Sequence, residues 1–390
     1  MLLRTLYAPP AGENIAQNFG VSYIDGKLTR EELWSSECES DAPREHKRRT
    51  SPDNGRTWSE FESIETQVNE QRPDGGLLTA RCSTHFDLNT NTLYRIILRR
   101  LWPGMKLYTY NWQTGEHPFD DHVSILENER VDKLMRYEEG PEFDPANPFA
   151  PAFCIANRSY PGSGMAFAPD GTAYYPIVCY KSGTSYSFNR GGVRLMRRDA
   201  KSGQWSASAP QYIGPEISSR GLLEPDVALL KNGDLLIVCR GSDTPTTPGR
   251  KWMCRSSDGG RTLSPVEEFR WSDGSRFYSP SSFHRFFRAS RNGTLYWIGN
   301  IVPEPPHGNL PRHPLQIVEV DERKAALIKD SLIVVDDRRE GEPVAMQLSN
   351  WSQLENRETL DWEIYLTRIG ENAERFWESG VFRYTFSPPR

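Results

Sequence analysis

The chain repeats one pattern of hydrophobic and polar positions: a segment of alternating character, a tight turn containing Gly or Asn, and a second apolar segment. This pattern predicts a β-hairpin. It occurs six times, in residues 22–29, 86–96, 165–177, 227–239, 286–298 and 344–366, the last with a longer turn. The turns lie roughly 60–80 residues apart, which leaves room for one four-stranded sheet and an inserted loop in each repeat.

The six repeats predict an all-β protein, a six-bladed β-propeller of four-stranded antiparallel sheets that forms a single domain over residues 1–390. Helical periods, which a helical solenoid or two α/β domains would need, are not found. The plentiful Gly (30) and Pro (29) suit many short strands joined by turns. Residues 116–160, which are rich in Pro, Asp and Glu, are interpreted as a loop over one face.

The net charge and the lack of long apolar runs limit the partners and the location that we expect for the protein. The formal charge of −5 and the pI near 5.9 give no attraction for polyanions, so nucleic acid is not an expected partner. No run of about 18 apolar residues is present, so no membrane span is predicted. The chain is expected to be soluble, and cytoplasmic as it stands, or periplasmic or secreted if a leader has been removed.

The six cysteines lack metal-ligand spacing and are predicted to be buried thiols.

A shorter motif, S-x-D-x-G-x-T, occurs at Ser51–Thr57 and again at Ser256–Thr262. Its Asp can accept hydrogen bonds from turn N–H groups, and its Gly can adopt a positive φ. These residues are therefore predicted to be structural, although their hydroxyl and acidic groups are of types that also occur in catalysis. No metal site and no other cofactor is predicted, and Ca²⁺ binding by loop carboxylates is left open.

These turns match the Asp box, and together with the hairpin from Glu224 to Arg240 they make the chain resemble the sialidase superfamily of Asp-box (BNR) β-propellers. In that family a Glu before such a hairpin activates the nucleophile, and an Arg after it binds the substrate carboxylate. The resemblance implies these roles for Glu224 and Arg240. Because the hairpin between them has strands of similar length, its two ends are expected to lie close together, which would make the two residues neighbours. The resemblance also implies a general acid in the loop before the first Asp box, where Asp41 is the counterpart and Glu37 and Glu39 are rivals.

The sequence departs from this family at two places. Gln17 and Asn18 stand where sialidases carry the first arginine of a triad, and they become candidate substrate-binding residues. The sixth repeat offers Gln347 and Asn350 where sialidases present a nucleophilic Tyr. The chain therefore resembles a divergent member that lacks both groups.

Further candidates follow from the geometry of a propeller, in which the inner strands converge on a central axis. Counting back nine positions from the turn Gly, the distance from Gly233 to Glu224, gives His284 as a candidate catalytic residue. Its neighbour Arg285 is a candidate substrate-binding residue. His85 is assigned a comparable place in the second repeat. Each His has the alternative interpretation of a hydrogen-bonded core residue.

Three residues in loops complete the candidate site. Tyr160 and Tyr278 could replace the missing nucleophile or act as a base, and the alternative for both is packing between sheets. Arg312 is a candidate for contact with the substrate, and the alternative is a loop salt bridge.

The leading functional hypothesis is a sialidase-like exo-glycoside hydrolase that acts on a terminal sugar of an anionic glycan other than sialic acid. Hydrolysis needs one group to protonate the leaving oxygen and one to attack or to activate water. Asp41 or a His is the expected acid, and Glu224 the expected base. A polysaccharide lyase that uses His85, His284 or Tyr160 as the base is the alternative enzyme. A non-catalytic glycan-binding propeller is the alternative from a different class.

Overall fold

The computed structural model describes residues 2–40, 43–65, 69–71, 77–102, 110–112, 159–180 and 191–388. These residues form β-strands and one short 3-10 turn at Lys329–Ser331, so the all-β prediction is confirmed. The strands are β1 (Leu2–Ala8), β2 (Ala16–Tyr23), β3 (Arg30–Glu37), β4 (Pro43–Ser51), β5 (Glu62–Ser63), β6 (Asn69–Gln71), β7 (Leu77–Asp87), β8 (Thr92–Trp102), β9 (Tyr110–Trp112), β10 (Ser159–Pro161), β11 (Ala166–Phe167), β12 (Ala173–Tyr180), β13 (Gly191–Arg198), β14 (Trp205–Ala207), β15 (Gln211–Tyr212), β16 (Leu223–Leu229), β17 (Leu235–Arg240), β18 (Lys251–Ser256), β19 (Glu267–Glu268), β20 (Arg285–Arg288), β21 (Leu295–Gly299), β22 (Leu315–Asp321), β23 (Ala326–Leu327), β24 (Ile333–Asp336), β25 (Gln347–Glu355), β26 (Trp362–Ile369) and β27 (Val381–Phe386).

All six predicted hairpins are present, and each belongs to a different antiparallel sheet: β2–β3, β7–β8, β11–β12, β16–β17, β20–β21 and β25–β26. Small antiparallel sheets of this kind are the arrangement of a β-propeller. Five of these sheets are described with the side chains of nearly all their strands and form five blades, not the six predicted. In the remaining sheet, β6–β9, most strand side chains lie outside the described residues.

The chain divides into two compact units. The first unit comprises residues 1–65, 248–250 and 269–390, and the second comprises residues 66–247 and 251–268. The first contains the sheets β2–β5, β20–β24 and the sheet ordered β1-β27-β26-β25, and the second contains β6–β9, β10–β15 and β16–β19. The single domain over residues 1–390 stays a prediction, as does the loop interpretation of residues 116–160, which begin outside the described residues and are described only at their end.

The sheet ordered β1-β27-β26-β25 joins the two ends of the described chain. Strand β1 pairs antiparallel with β27, with Leu2 opposite Phe386 and Leu6 opposite Phe382. The strand at the start of the chain therefore forms the outer edge of a sheet whose other strands come from its end. This pairing closes the first unit by backbone hydrogen bonds.

Aromatic side chains fill the space between neighbouring sheets within each unit. In the first unit, Trp362 of β26 is fully buried, and its ring lies 4.8 Å from that of Tyr296 on β21. In the second unit, Tyr94 and Ile96 of β8 pack with Tyr175 of β12. Large apolar faces on both sides of a sheet explain why these strands read as nearly continuous apolar runs rather than alternating ones.

Two buried arginines anchor sheets of the first unit. Arg30 of β3 forms an ion pair with Glu363 of β26 at 2.9 Å, which joins two sheets. Arg368 is fully buried and pairs with Asp336, with Glu342 at 2.6 Å and with Glu371 at 2.9 Å. Neither arginine stood out in the sequence, because a charged residue inside a strand is normally read as solvent-exposed.

The thiols are only partly as predicted. Cys239 and Cys254 are buried and free, and burial raises the pKa of both, that of Cys254 to about 12. Cys38 and Cys179 are partly exposed, because both lie at or just beyond strand ends. Cys154 and the side chain of Cys82 lie outside the described residues.

Candidate functional site

Glu224 and Arg240 lie at one end of the β16–β17 hairpin in the second unit. Because Leu223 is the register partner of Arg240, the two strands end at the same level, and Arg240 Nη1 donates to Glu224 Oε2 at 2.6 Å. The Glu224 side chain is 22% exposed and that of Arg240 is 10% exposed. The contact that the hairpin geometry predicted is therefore present, and the carboxylate is open to solvent on part of its surface.

The backbone of Glu224 is strained. Its φ is 40°, in the left-handed region that residues other than Gly rarely adopt. The register of β16 against β17 also shifts between Leu223 and Asp226, as at a β-bulge. Such a conformation costs about 1–3 kcal/mol and persists where the surrounding structure imposes it, which is common at functional sites.

The segment from Tyr160 to Ser163 lies directly against this strand end. Ser163 N donates to the carbonyl oxygen of Pro225 at 2.8 Å. A Cβ atom on Gly162 would lie 2.7 Å from the same oxygen and 2.3 Å from that of Pro176, so this approach requires glycine. Tyr160 is partly exposed and pairs in register with Val178. The structure thus brings the Tyr160 segment beside Glu224.

His85 is placed differently from its predicted position. It lies two residues before the end of β7, next to the turn that leads into β8, whereas Glu224 lies at the start of its strand. That turn contacts the β11–β12 turn, since Asn89 Nδ2 donates to the carbonyl oxygen of Ala168 at 3.3 Å. His85 therefore sits at the turn end of its sheet and is not brought together with Glu224. Its ring contacts that of Tyr175 at 6.2 Å, which fits the packed interpretation.

In the first unit, polar side chains meet where β2, β3 and β25 lie side by side. Asn350 Nδ2 donates to Asn18 Oδ1 at 3.3 Å and to Glu37 Oε1 at 3.1 Å. We refer to Asn18, Glu37 and Asn350 as the amide cluster. Gln17, next to Asn18, donates to the carbonyl oxygen of Pro9 at 2.8 Å and accepts from Trp34 Nε1 at 3.1 Å. The Gln17 side chain thus forms hydrogen bonds with groups beside the amide cluster.

Arg312 and Gln347 form a second polar contact at the start of β25. Arg312 Nη1 donates to Gln347 Oε1 at 2.8 Å and to Ser349 Oγ at 3.3 Å, and Nη2 donates to the carbonyl oxygen of Ser281 at 3.0 Å. These three acceptors are neutral oxygens, and the loop salt bridge considered from the sequence stays a prediction. Gln347 therefore holds an arginine at the place where the sialidase resemblance led us to look for a tyrosine.

Three other candidates of the first unit lie in or beside the apolar core. His284 is fully buried, and its ring stacks on that of Trp297 with 5.9 Å between the centroids. This packing favours the core interpretation, and a catalytic role of His284 stays a prediction. Arg285 starts β20 and is partly exposed. Tyr278 is also partly exposed and lies 4.9 Å beneath the Arg250 guanidinium, a contact that favours the packing interpretation.

The two S-x-D-x-G-x-T turns have the same hydrogen bonds. Asp53 accepts from Thr57 N at 2.8 Å and from Thr57 Oγ1 at 2.6 Å. Asp258 accepts from Thr262 N at 3.0 Å and from Thr262 Oγ1 at 2.7 Å. These bonds lower the pKa of each Asp to about 2. Both carboxylates are thus occupied by their own turns, in accord with the structural role predicted for them.

Three further expectations concern Asp41, a metal site and a membrane span. Asp41, the predicted general acid, lies outside the described residues, so its role stays a prediction. Within the described ranges, no group of three or more His, Cys, Asp or Glu side chains is arranged to hold a metal ion. None of the helical residues described forms a segment long and apolar enough to cross a membrane.

Sequence reasoning missed that Glu37 and Asn350 are partners. The two residues are 313 positions apart, and no local pattern links them. Glu37 was considered only as a rival of Asp41, and Asn350 only as the residue standing near a missing tyrosine. Glu37 ends β3 and Asn350 lies inside β25, and only the packing of their sheets brings the two side chains together.

Comparisons with known proteins bear on the fold. No protein-family model and no curated protein matches the sequence. Among solved structures, the chain is similar to a protein of unknown function from Dyadobacter fermentans DSM 18053, with a TM-score of 0.56 and 13% identity over 100% of this chain and 99% of that one. It is also similar to a mutant of the NanB sialidase from Streptococcus pneumoniae, with a TM-score of 0.51 and 11% identity over 98% of this chain and 70% of that one. For the leech intramolecular trans-sialidase these values are 0.50, 12%, 98% and 68%. At such low identity the likeness shows a shared fold.

Proposed function

We propose that the protein is a glycoside hydrolase that releases a terminal sugar from a glycan, with Glu224 as the carboxylate that activates the attacking oxygen. The observation that carries this proposal is the contact of Arg240 with Glu224 at 2.6 Å, made at a strand end where Glu224 has a φ of 40°. A partly exposed carboxylate that is fixed by a guanidinium and held in a costly backbone conformation is the kind of pre-positioned group that catalysis requires.

The attacking oxygen is that of water or of the Tyr160 phenol. Glu224 would take its proton while the oxygen attacks the anomeric carbon and the glycosidic bond breaks. The contact between Ser163 and Pro225 supports a role for Tyr160, because it places the Tyr160 segment beside Glu224. Protonation of the leaving oxygen remains assigned to Asp41, as a prediction from the sialidase resemblance.

The finer description of the substrate, a terminal sugar of an anionic glycan other than sialic acid, is also part of the proposal. Arg240, the last residue of β17, supports an anionic group. Gln17 and Asn18 argue against sialic acid, because amides replace the first arginine of the sialidase triad. The fold shared with a sialidase supports the general class of reaction.

Elimination by a lyase is less well supported. It needs an arginine that neutralises a uronate carboxylate while a base removes the neighbouring proton. His85 and His284, two of the proposed bases, are packed against aromatic rings. A non-catalytic glycan-binding protein would gain nothing from the strained conformation of Glu224.

The test has two steps. The protein is first assayed on aryl glycosides, sialosides and uronate polysaccharides, with reducing ends and the ultraviolet absorbance of unsaturated uronides read in parallel. Reducing ends without new absorbance are expected. New absorbance would mean elimination, and activity on none of these substrates would contradict an enzymatic function on glycans of these kinds.

Variants then test the residue assignment on the best substrate. Glu224→Gln should lower kcat by on the order of 100-fold or more, the usual contribution of a general base, with an unchanged melting temperature. Tyr160→Phe should have a similar effect if the phenol is the nucleophile and little effect if water attacks. Glu322→Gln is the matched control, because Glu322 pairs with Arg288 at 2.8 Å elsewhere. If Glu224→Gln keeps more than about half the parental kcat, far less loss than a general base implies, the assignment is wrong.

A further inference from the structure

The amide cluster of the first unit has its own hydrogen-bonding capacity. The two hydrogens of Asn350 Nδ2 are used by Asn18 Oδ1 and Glu37 Oε1. An amide side chain has two donor hydrogens and one acceptor oxygen. The bonds within the cluster therefore leave the Asn350 Oδ1 acceptor and the two Asn18 Nδ2 donors.

These remaining groups are accessible. Asn18 and Asn350 are both partly exposed. Among the residues that the structure describes, none hydrogen-bonds to Asn18 Nδ2 or Asn350 Oδ1, and neither atom is a buried group without a partner. The cluster thus presents a donor and an acceptor side by side to the solvent. Glu37, which is 6% exposed, orients Asn350 by accepting a hydrogen bond from its Nδ2.

The surroundings hold the cluster in place. Thr367, the register partner of Asn350, donates its hydroxyl to the carbonyl oxygen of Gln17 at 2.6 Å, which ties β26 to β2. Gln17 is itself fixed by Trp34 and by the carbonyl oxygen of Pro9. Groups whose positions are fixed before binding lose little conformational entropy when a ligand arrives.

We infer that the amide cluster binds hydroxyl groups of a neutral sugar. A hydroxyl both donates and accepts, so one hydroxyl can donate to Asn350 Oδ1 while it or its neighbour accepts from Asn18 Nδ2. A carboxylate only accepts hydrogen bonds, so an anionic group at this place could not donate to Asn350 Oδ1. The anionic group proposed above for the glycan is therefore not what this cluster contacts. The inference concerns binding and does not depend on hydrolysis by Glu224.

The test is a ligand-observed NMR titration of the full chain. The probes are methyl β-D-galactoside, methyl β-D-glucoside and methyl β-D-xyloside as neutral sugars, and methyl β-D-glucuronide as the anionic counterpart of the glucoside. At least one neutral glycoside is expected to bind, and the glucuronide is expected to bind more weakly than the glucoside. Absence of binding by all three neutral glycosides, or equal binding of the glucuronide and the glucoside, would overturn the inference.

Asn18→Asp places the test on the cluster. Aspartate keeps an oxygen that accepts from Asn350 but replaces the two donors, so affinity should fall roughly 3- to 10-fold, as expected for one lost hydrogen bond. Asn372→Asp is the control, because Asn372 Oδ1 accepts from Glu374 N and Arg375 N, bonds that aspartate retains. Equal affinity of the Asn18→Asp and Asn372→Asp proteins, both with the parental melting temperature, would refute the inference.

Glu224→Gln separates this inference from the proposed function. The variant should lose turnover but bind the neutral glycoside with the parental affinity, because Glu224 has no part in the amide cluster. Loss of turnover in Glu224→Gln with no effect of Asn18→Asp on binding leaves the proposed function and removes the inference. Weaker binding by Asn18→Asp with unchanged turnover in Glu224→Gln leaves the inference and removes the proposed function.

Discussion

The ion pair between Arg30 and Glu363 predicts a large loss of stability when one partner is removed. The side chains are 2% and 7% exposed, and the guanidinium contacts both carboxylate oxygens, at 2.9 and 3.2 Å. Tyr365 donates to Glu363 at 2.7 Å, and Asn356 also donates at 2.7 Å. Although burial opposes it, the hydrogen bonds and charge of Arg30 lower the pKa of Glu363.

Arg30→Met leaves the Glu363 carboxylate buried without its cation. Breaking a buried pair in this way costs about 3–5 kcal/mol, a large part of the roughly 5–15 kcal/mol that stabilises a typical domain. We therefore expect the free energy of unfolding, measured by urea denaturation with tryptophan fluorescence, to fall by about that amount. Arg30→Met combined with Glu363→Gln should recover at least half of the loss, because the uncompensated charge is gone.

The pH dependence of stability gives an independent check that the ion pair stabilises the folded protein. The pKa of Glu363 is lower in the folded protein than in the unfolded chain, where it is about 4.3. The ion pair therefore stabilises the protein above that pH, and its contribution is lost as the pH falls through the folded value. The difference between Arg30→Met and the parent should shrink accordingly under acidic conditions.

A control and a clear failure complete the experiment. Arg56 pairs with Glu358 at 2.6 Å, but its side chain is 62% exposed, so Arg56→Met should change the denaturation midpoint little. A loss below about 1 kcal/mol in Arg30→Met, against the 3–5 kcal/mol expected, would refute the reasoning. So would a double variant that is no more stable than Arg30→Met alone.

Two further predictions concern the turns and the substrate. Because the pKa of Asp53 and of Asp258 is lowered to about 2, Asp53→Asn and Asp258→Asn should lower the melting temperature near neutral pH. The difference in melting temperature from the parent should vanish between about pH 4 and pH 2, and turnover should be unchanged. Loss of turnover at an unchanged melting temperature would contradict a structural role. The protein should release no sialic acid from sialosides, because Gln17 and Asn18 replace an arginine and Gln347 stands where a tyrosine is needed, and efficient release would show that our alignment of the repeats with sialidases is wrong.

The sequence by itself determined the hairpins and the contact between two candidate site residues. Each hairpin is coded locally, since a turn Gly or Asn and two apolar strands lie within about 25 residues, as in typical hairpins. The same local logic placed Arg240 beside Glu224, because strands of similar length on either side of a tight turn end at the same level. The hydrogen bonds of the two Asp-containing turns are also local and were predicted from residue types alone.

Only the tertiary structure decided which distant residues meet. Glu37 and Asn350, like Arg30 and Glu363, come from sequence positions more than 300 residues apart, and they meet because β1, β2 and β25–β27 assemble in one unit. The packing of sheet faces likewise buried His284 and set His85 at the turn end of its strand. Turn and strand preferences act over a few residues, whereas these contacts depend on how apolar sheet faces pack, and the pattern along the chain does not contain that information.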